Sequence, residues 1–123
     1  MAHQGFSSSR RILHSKEFDA VFKDSRYRVS SAEFLILAIE SRFPTSRIGM
    51  VVGKKNTPHA VDRNHIKRRI RESFRTSFNV DVCVDIVIVS RSGVNRVQGA
   101  ELTRVLTVLW AKLGKKILAT AHV

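Results

Sequence analysis

The sequence predicts an α/β (α+β) fold, a two-layer sandwich in which helices pack on one mixed β-sheet. Its 123 residues suffice for one domain with a modest core. Hydrophobic residues make up 43% of the chain, as is typical of a globular protein. Helical and strand periodicities follow one another in the order α-β-β-β-α-β-α. We therefore expect residues 1–123 to form a single domain, with about 1–9 and 118–123 flexible.

The first half of the chain predicts one helix and three strands. Ser15 has the character of an N-cap for a helix over 16–24, in which Phe18, Val21 and Phe22 form an apolar stripe. Strands are predicted at 27–29, 34–39 and 47–55. The second strand is apolar on both faces, which indicates a central position in the sheet. The third carries glycines on one face, at Gly49 and Gly53.

The second half of the chain predicts a helix over 60–76, a strand over 82–90 and a helix over 97–117. The strand is rich in β-branched residues. The last helix has apolar residues along one side, with Trp110 at the edge of that stripe.

Positive charge is concentrated in and before the second helix. Residues 54–75 contain eight basic and two acidic side chains, a local charge of +6 in a chain of net charge +12. Within 61–75, arginine outnumbers lysine five to one. The planar guanidinium group suits phosphate oxygens and RNA base planes. A polyanionic partner is therefore predicted, with nucleic acid the first candidate.

This helix has two predicted faces at about 100° per residue. Ile66, Ile70 and Phe74 form a narrow apolar stripe that can dock on the sheet. Arg63 and Lys67 flank that stripe, where long stems pack and charged heads reach solvent. Roughly opposite, within about 60° of one another, lie Asn64, Arg68, Arg71 and Arg75.

An ordinary solvated helix face is the alternative interpretation of this helix. Such a face usually carries both positive and negative side chains, because a pair of like charges at i, i+4 destabilises the helix by about 0.2–0.5 kcal/mol. Here Arg63–Lys67, Lys67–Arg71 and Arg71–Arg75 are all pairs of like charge. These basic residues therefore require a bound anion to offset their repulsion. Nucleic acid is favoured over a membrane because the apolar stripe is narrow and is needed by the core.

We expect no catalytic residue and no metal site in the protein itself. The ten carboxylates are scattered along the chain, without the close cluster that a metal-dependent nuclease needs. Cys83 is the only cysteine, which rules out an intramolecular disulfide and the usual zinc cluster and fits a reducing cytoplasm. His14, His59 and His65 are more simply phosphate contacts or residues without a role in binding than acid–base groups.

Phe18 and Phe22 have two interpretations. They are core residues, or they line a groove beside the glycine-bearing strand and stack on unpaired bases. Such stacking is tolerant of sequence and contributes about 1–3 kcal/mol per base.

The segment KKNTPHAVDRNHIKRRIRESFR, residues 54–75, closely resembles the signature of the bacterial ribonuclease P protein component. That family has a Lys-Lys pair ending a strand, a short loop with Ala-Val, and Arg-Asn-Arg, Lys-Arg and Arg-Glu along a helix. FDAVF, residues 18–22, is similar to the family's Phe-x-x-Val-Phe, and RRILHSKE to the usual entry into its first helix. The similarity runs from about residue 10 to 116.

The resemblance implies an RNA-binding subunit that assists a catalytic RNA in removing the 5′ leader from precursor tRNA. The RNA and its Mg²⁺ would perform the hydrolysis, and the protein would bind no cofactor itself. Its implied partners are the ribonuclease P RNA and precursor tRNA, with no membrane and no small-molecule substrate. The RNA subunit would contact Arg63, Asn64, His65, Lys67, Arg68, Arg71 and Arg75. The leader cleft would be lined by Phe18, Phe22, Lys54 and Lys55. The family's β-α-β crossover is left-handed, whereas about 98% of such connections are right-handed.

Two residues depart from the family pattern, and three alternatives stay open. His65 replaces the second arginine of Arg-Asn-Arg, which predicts a weaker or pH-dependent contact. Leu37 stands where some relatives have a tyrosine, which removes a stacking partner. The main alternative is a ribosomal-type structural RNA-binding protein, in which a groove at Phe18 and Phe22 has no use. A DNA-binding regulator would lack the bracing helix and turn, and a self-sufficient nuclease would cleave without RNA.

Overall fold

The computed structural model describes residues 15–121. Its elements are α1 (Ser15–Asp24), β1 (Tyr27–Ser30), β2 (Phe34–Glu40), β3 (Arg47–Val51), α2 (Ala60–Ser77), β4 (Val84–Ser90) and α3 (Gly99–Ala121). A short 3₁₀ helix, Ser92–Arg96, precedes α3. The predicted α/β class, with helices packed on one mixed sheet in the order α-β-β-β-α-β-α, is confirmed. The two-layer arrangement is corrected, because α1 lies on one face of the sheet and α2 and α3 lie on the other.

One mixed sheet holds the four strands in the order β1-β2-β4-β3. The β1–β2 and β2–β4 pairs are antiparallel, and the β3–β4 pair is parallel. The strand β2 is central, as its two apolar faces predict. The chain passes from β3 through α2 to the neighbouring parallel β4. The left-handed sense of this crossover stays a prediction from the family resemblance.

The two faces of the sheet pack against different helices. One face, termed the core face, packs against α2 and α3 and contributes Phe34, Ile36, Ala38, Ile48, Val84, Ile86 and Ile88. From α3 the same core receives Leu102, Leu106, Leu109, Leu113 and Ile117. The opposite face, termed the α1 face, is covered in part by α1, whose Val21 packs with Leu37 and Val87.

The helices α2 and α3 are joined by an aromatic contact and a buried hydrogen bond. Ile70 and Phe74 of α2 are buried, which confirms the predicted apolar stripe. Phe74 meets the edge of Trp110 with ring centroids 5.4 Å apart. The Trp110 indole Nε1–H donates to Ser73 Oγ at 2.8 Å. Trp110 therefore lies inside the helix interface rather than at the edge of the α3 stripe.

Several element boundaries differ from the predictions. β3 ends at Val51 rather than residue 55, because its pairing with β4 stops there and the chain turns, with Thr57 N–H donating to Gly53 O. β4 begins at Val84, the partner of the last residue of β2. The helix α3 continues past residue 117 to Ala121. The expected flexibility of residues 1–9 and the capping by the Ser15 side chain lie outside what the structure describes.

The sequence analysis did not predict the 3₁₀ helix, which depends on Gly93. The Gly93 N–H donates to Ala32 O, and a Cβ at this position would lie 2.4 Å from that oxygen. Only a residue without a side chain lets the backbone approach the β1–β2 connection this closely.

Among the described residues, no helix is both long and apolar enough to cross a membrane.

Replacing Ser73 with alanine should lower the free energy of unfolding by about 1–3 kcal/mol. The reason is that the buried Trp110 Nε1–H would lose its acceptor and remain unsatisfied. Urea unfolding followed by the fluorescence of Trp110, the only tryptophan, measures the change. Thr76→Ala, an exposed change on the same helix, is the control and should stay within about 0.5 kcal/mol. Equal effects in the two variants would contradict the assignment.

Candidate nucleic-acid interface

The cationic surface of the protein is built by α2, because burial of its apolar stripe turns the opposite side outward. Ile66 and Ile70 pack into the core, and the helix runs unbroken from Ala60 to Ser77. We define the α2 cationic surface by the residues predicted to contact RNA, namely Arg63, Asn64, His65, Lys67, Arg68, Arg71 and Arg75. Asn64, His65, Arg68 and Arg75 are exposed, and the other three are half-buried.

The cations of this helix have different partners. Arg68 forms no ion pair or hydrogen bond within residues 15–121, and the same holds for Lys67. Arg75 pairs with Glu72 one turn away, at an exposed site. Arg69, on the α3 side, donates to Thr103 Oγ1 at 3.0 Å. Arg68 is therefore the guanidinium group most available to an external anion.

Arg63 has a structural role that the sequence did not indicate. Its Nη1 donates to the backbone oxygens of Thr57 and Pro58, at 3.0 and 2.7 Å. These bonds hold the loop that connects β3 to α2. Lys54 and Lys55 lie in a turn of this loop, both exposed, instead of on the strand predicted for them. The loop therefore joins the two lysines to the α2 cationic surface.

Phe18 and Phe22 are placed differently, so each of the two interpretations fits one of them. Phe18 is half-buried and packs against the cluster of Val21, Leu37 and Val87 on the α1 face. Phe22, one turn later, is 46% exposed. Phe18 is thus mainly a packing residue, and Phe22 is an aromatic surface beside the sheet.

The α1 face is exposed in part along its β3 edge, at Val51, whereas Gly49 on the same face is buried. Gly49 and Val51 pair with Val87 and Val89 of β4. Gly49 presents no side chain there, and Val51 is 36% exposed. We use the term sheet cleft for this region of the α1 face, bounded by Phe22 on α1 and by Val51 on β3.

A buried ionic cluster fixes α1 on this face. Arg47 of β3 donates through Nε and Nη2 to the two carboxylate oxygens of Asp85 on β4, at 2.9 and 2.7 Å. Its Nη1 donates to Glu17 of α1. The pKa of Arg47 is raised, chiefly because Asp85 accepts these hydrogen bonds and further because Glu17 accepts another. Burial of the guanidinium group acts in the opposite direction. Arg47 thus ties α1 to both strands of the parallel pair.

Phe43 extends this cluster toward solvent. The guanidinium carbon of Arg47 lies 4.2 Å from the centre of the Phe43 ring, which is a cation–π contact. The Phe43 side chain is 50% exposed. The sequence analysis missed Arg47, Asp85 and Phe43. A charged residue within each of two apolar strands was the available signal, but only the strand register shows that the two are adjacent.

The described residues contain no group of three or more His, Cys, Asp or Glu side chains that could hold a metal ion. Asp85 is committed to Arg47, and Glu72 to Arg75. The arrangement supplies cations, an aromatic surface and hydrogen-bond donors. These groups suit the binding of a polyanion with unpaired bases.

Comparison with known proteins gives one consistent result. A sequence model of the family described as Ribonuclease P matches residues 6–114. A ribonuclease P protein component from Ectopseudomonas mendocina (strain ymp) is 37% identical over 115 residues, which cover 94% of this chain and 86% of the relative. One from Pseudomonas entomophila (strain L48) is 40% identical over 113 residues, covering 92% of this chain and 85% of that protein.

Two solved structures are similar in fold. The RNase P protein from Thermotoga maritima is 26% identical with a TM-score of 0.67, covering 86% of this chain and 96% of that chain. The Staphylococcus aureus RNase P protein has a TM-score of 0.69 at 24% identity, covering 88% and 94%. At that identity the second likeness concerns the fold alone.

Replacing Asp85 with alanine should destabilise the protein by about 3 kcal/mol or more. Removal of one partner leaves the Arg47 guanidinium buried with a single carboxylate. Urea unfolding measures the change, and Asp81→Ala, an exposed site before β4, is the control with an expected change within about 0.5 kcal/mol. A loss at Asp85 as small as that at Asp81 would show that the cluster does not stabilise the fold.

Proposed function

The chain belongs to the family of ribonuclease P protein components, and on that premise we propose that its two surfaces bind two different RNA elements. The protein is a subunit of ribonuclease P, the endonuclease that removes the 5′ leader from precursor tRNA. The α2 cationic surface binds the catalytic RNA subunit. The sheet cleft binds the single-stranded leader. A ribosomal-type structural role is not favoured by the family match.

The observation that carries the proposal is the uncompensated charge of α2. Its only acidic residues are Asp62 and Glu72, against six basic ones. Glu72 is already paired with Arg75, and the exposed Arg68 has no ion-pair partner in the described part of the chain. Phosphate groups supply the missing negative charge, and binding releases the counterions that the RNA had condensed.

The leader site is supported by shape and surface chemistry. Phe22 offers an exposed ring on which an unpaired base can stack. Val51, on the same face of β3 as the buried Gly49, adds exposed apolar area. Lys54 and Lys55 leave the end of β3 with exposed side chains that can contact leader phosphates. Leu37 is buried beneath α1 and takes no part in the surface.

The chemistry itself belongs to the RNA subunit in this proposal. Mg²⁺ would be held by that RNA rather than by residues of the protein, and it would supply the activation of water and the stabilisation of the leaving oxygen. The protein lowers the repulsion between the phosphates of the catalytic RNA and those of its substrate. It should therefore reduce the concentration of Mg²⁺ that cleavage requires.

Reconstitution tests the proposal directly. Leader cleavage of precursor tRNA by the cognate RNA is measured with and without the protein, across a series of Mg²⁺ concentrations. The protein should raise the rate most at low Mg²⁺, with the difference narrowing as Mg²⁺ increases. No difference at any concentration would remove the assigned role, and cleavage by the protein alone would point to a nuclease.

Arg68→Ala should weaken binding of the RNA subunit and lower its salt dependence. Loss of one phosphate contact reduces the slope of log Kd against log salt by about 0.7–0.9. Filter binding or fluorescence anisotropy over a salt series gives the slope. Arg42→Ala, an exposed arginine outside α2, is the control and should leave the slope unchanged. Equal slopes for the Arg68 variant and wild type would refute this contact.

Phe22→Ala should weaken precursor tRNA binding in the holoenzyme only when a leader is present. Loss of one stacked base costs about 1–3 kcal/mol, which corresponds to a rise of roughly 5- to 150-fold in Kd. Affinities of the holoenzyme for precursor tRNA and for mature tRNA without a leader are compared. A similar loss for both RNAs would show that Phe22 acts through folding rather than through the leader.

A further inference from the structure

A second cationic cluster lies on the other flank of the helical layer, away from α2. Lys112, Lys115 and Lys116 of α3 face the edge strand β1 across an open groove of about 480 Å³. Arg28, Val29 and Ser30 of β1 complete its lining. All three lysines are exposed. We propose that this groove, termed the α3–β1 groove, binds the phosphate backbone of a second RNA segment.

The charge of this cluster is not neutralised within the molecule. After Glu101 the helix α3 contains no acidic residue, although it runs to Ala121. Within residues 15–121, none of the three lysines forms an ion pair. Lys112 and Lys116 are a like pair at i, i+4, which destabilises a helix in isolation.

The helix dipole does not explain the lysines. The last turn of α3 carries no basic residue, and the dipole effect decays within that turn. Protection of the sheet edge explains one of them, because Lys116 Nζ donates to Arg28 O at 2.6 Å. Lys112 and Lys115 are left without a structural role.

The edge strand adds hydrogen-bond donors to the same groove. β1 pairs with β2 on one side only. Ser31 N–H donates to Phe34 O, so by the alternation of an antiparallel pair the N–H groups of Arg28 and Ser30 point away from β2. Main-chain N–H groups beside lysine ammonium groups are the donors that bind phosphodiester oxygens in protein–nucleic acid complexes.

The α3–β1 groove is separate from the α2 cationic surface. The flank of α3 that faces α2 carries Trp110 and Thr103, which bond Ser73 and Arg69. At about 100° per residue, Lys112 and Lys116 lie on the opposite flank of the buried stripe. The body of α3, about 10–12 Å across, thus lies between the two sites. One RNA segment on α2 does not extend directly into the groove.

The inference rests on the proposed function, since it adds a second contact with the same RNA subunit. The test variant is Lys112→Gln with Lys115→Gln, which keeps the Lys116 bond to β1. Its slope of log Kd against log salt for the ribonuclease P RNA should fall by about 1.5. Lys112→Arg with Lys115→Arg should retain the wild-type slope.

The matched control is Arg42→Gln with Arg96→Gln, which removes two exposed cations elsewhere and should leave the slope nearly unchanged. Footprinting of the bound RNA should show that the lysine variant loses protection at nucleotides other than those lost with Arg68→Ala. If the slope is unchanged for the lysine variant but reduced for Arg68→Ala, the proposal that RNA binds the α3–β1 groove is wrong while the proposed function stands. This is also the result expected if the lysines bind an acidic protein instead. Loss of protection at the same nucleotides would also overturn the proposal for the groove, whereas unchanged slopes in both variants would reject the proposed function.

Discussion

The guanidinium group of Arg47 is the contact on which the geometry of the α1 face depends. It joins three elements that are distant in sequence, because Glu17 lies on α1, Arg47 on β3 and Asp85 on β4. The apolar contact of α1 with the sheet is small, with Val21 as its buried centre. A short helix with so little apolar contact needs a directional bond to hold one position. All three donor nitrogens of Arg47 are used internally, so it positions the cleft instead of binding RNA.

Buried and exposed charges of the molecule differ in whether they have partners within it. On the α1 face, the buried Arg47 meets two carboxylates, and removal of either leaves it with one. The exposed Arg68 of α2 and the exposed Lys112 and Lys115 of α3 form no ion pair within residues 15–121. Repulsion among them lowers the stability of the free protein. The same repulsion becomes binding free energy once RNA phosphates replace the counterions.

The order of the elements could be predicted from the sequence, because α3 has a strong period of 3.6 residues, β2 is a short apolar run and β4 is rich in β-branched residues. The ends of elements could not, because β3 stops where its partner strand stops pairing. The α2 cationic surface was visible in the sequence, where the spacing of Arg68 and its neighbours already places them on one side. The role of Arg63 was not visible, because it depends on carbonyl groups brought back by a turn. The Arg47 cluster and the α3–β1 groove needed the strand register and the packing of α3 beside β1.

We propose that Arg47 holds α1 in the position that forms the leader cleft, and that this cleft is independent of the α2 cationic surface. The most direct measurement is the effect of Glu17→Gln, which removes the charge that anchors α1 while preserving side-chain size. In the holoenzyme, the ratio of affinities for precursor tRNA with and without its leader should fall several-fold, since Arg47 would then hold α1 through the weaker hydrogen bond to a neutral acceptor. The salt dependence of RNA-subunit binding should stay at its wild-type value. An unchanged leader ratio, or an equal loss in both measurements, would contradict the account.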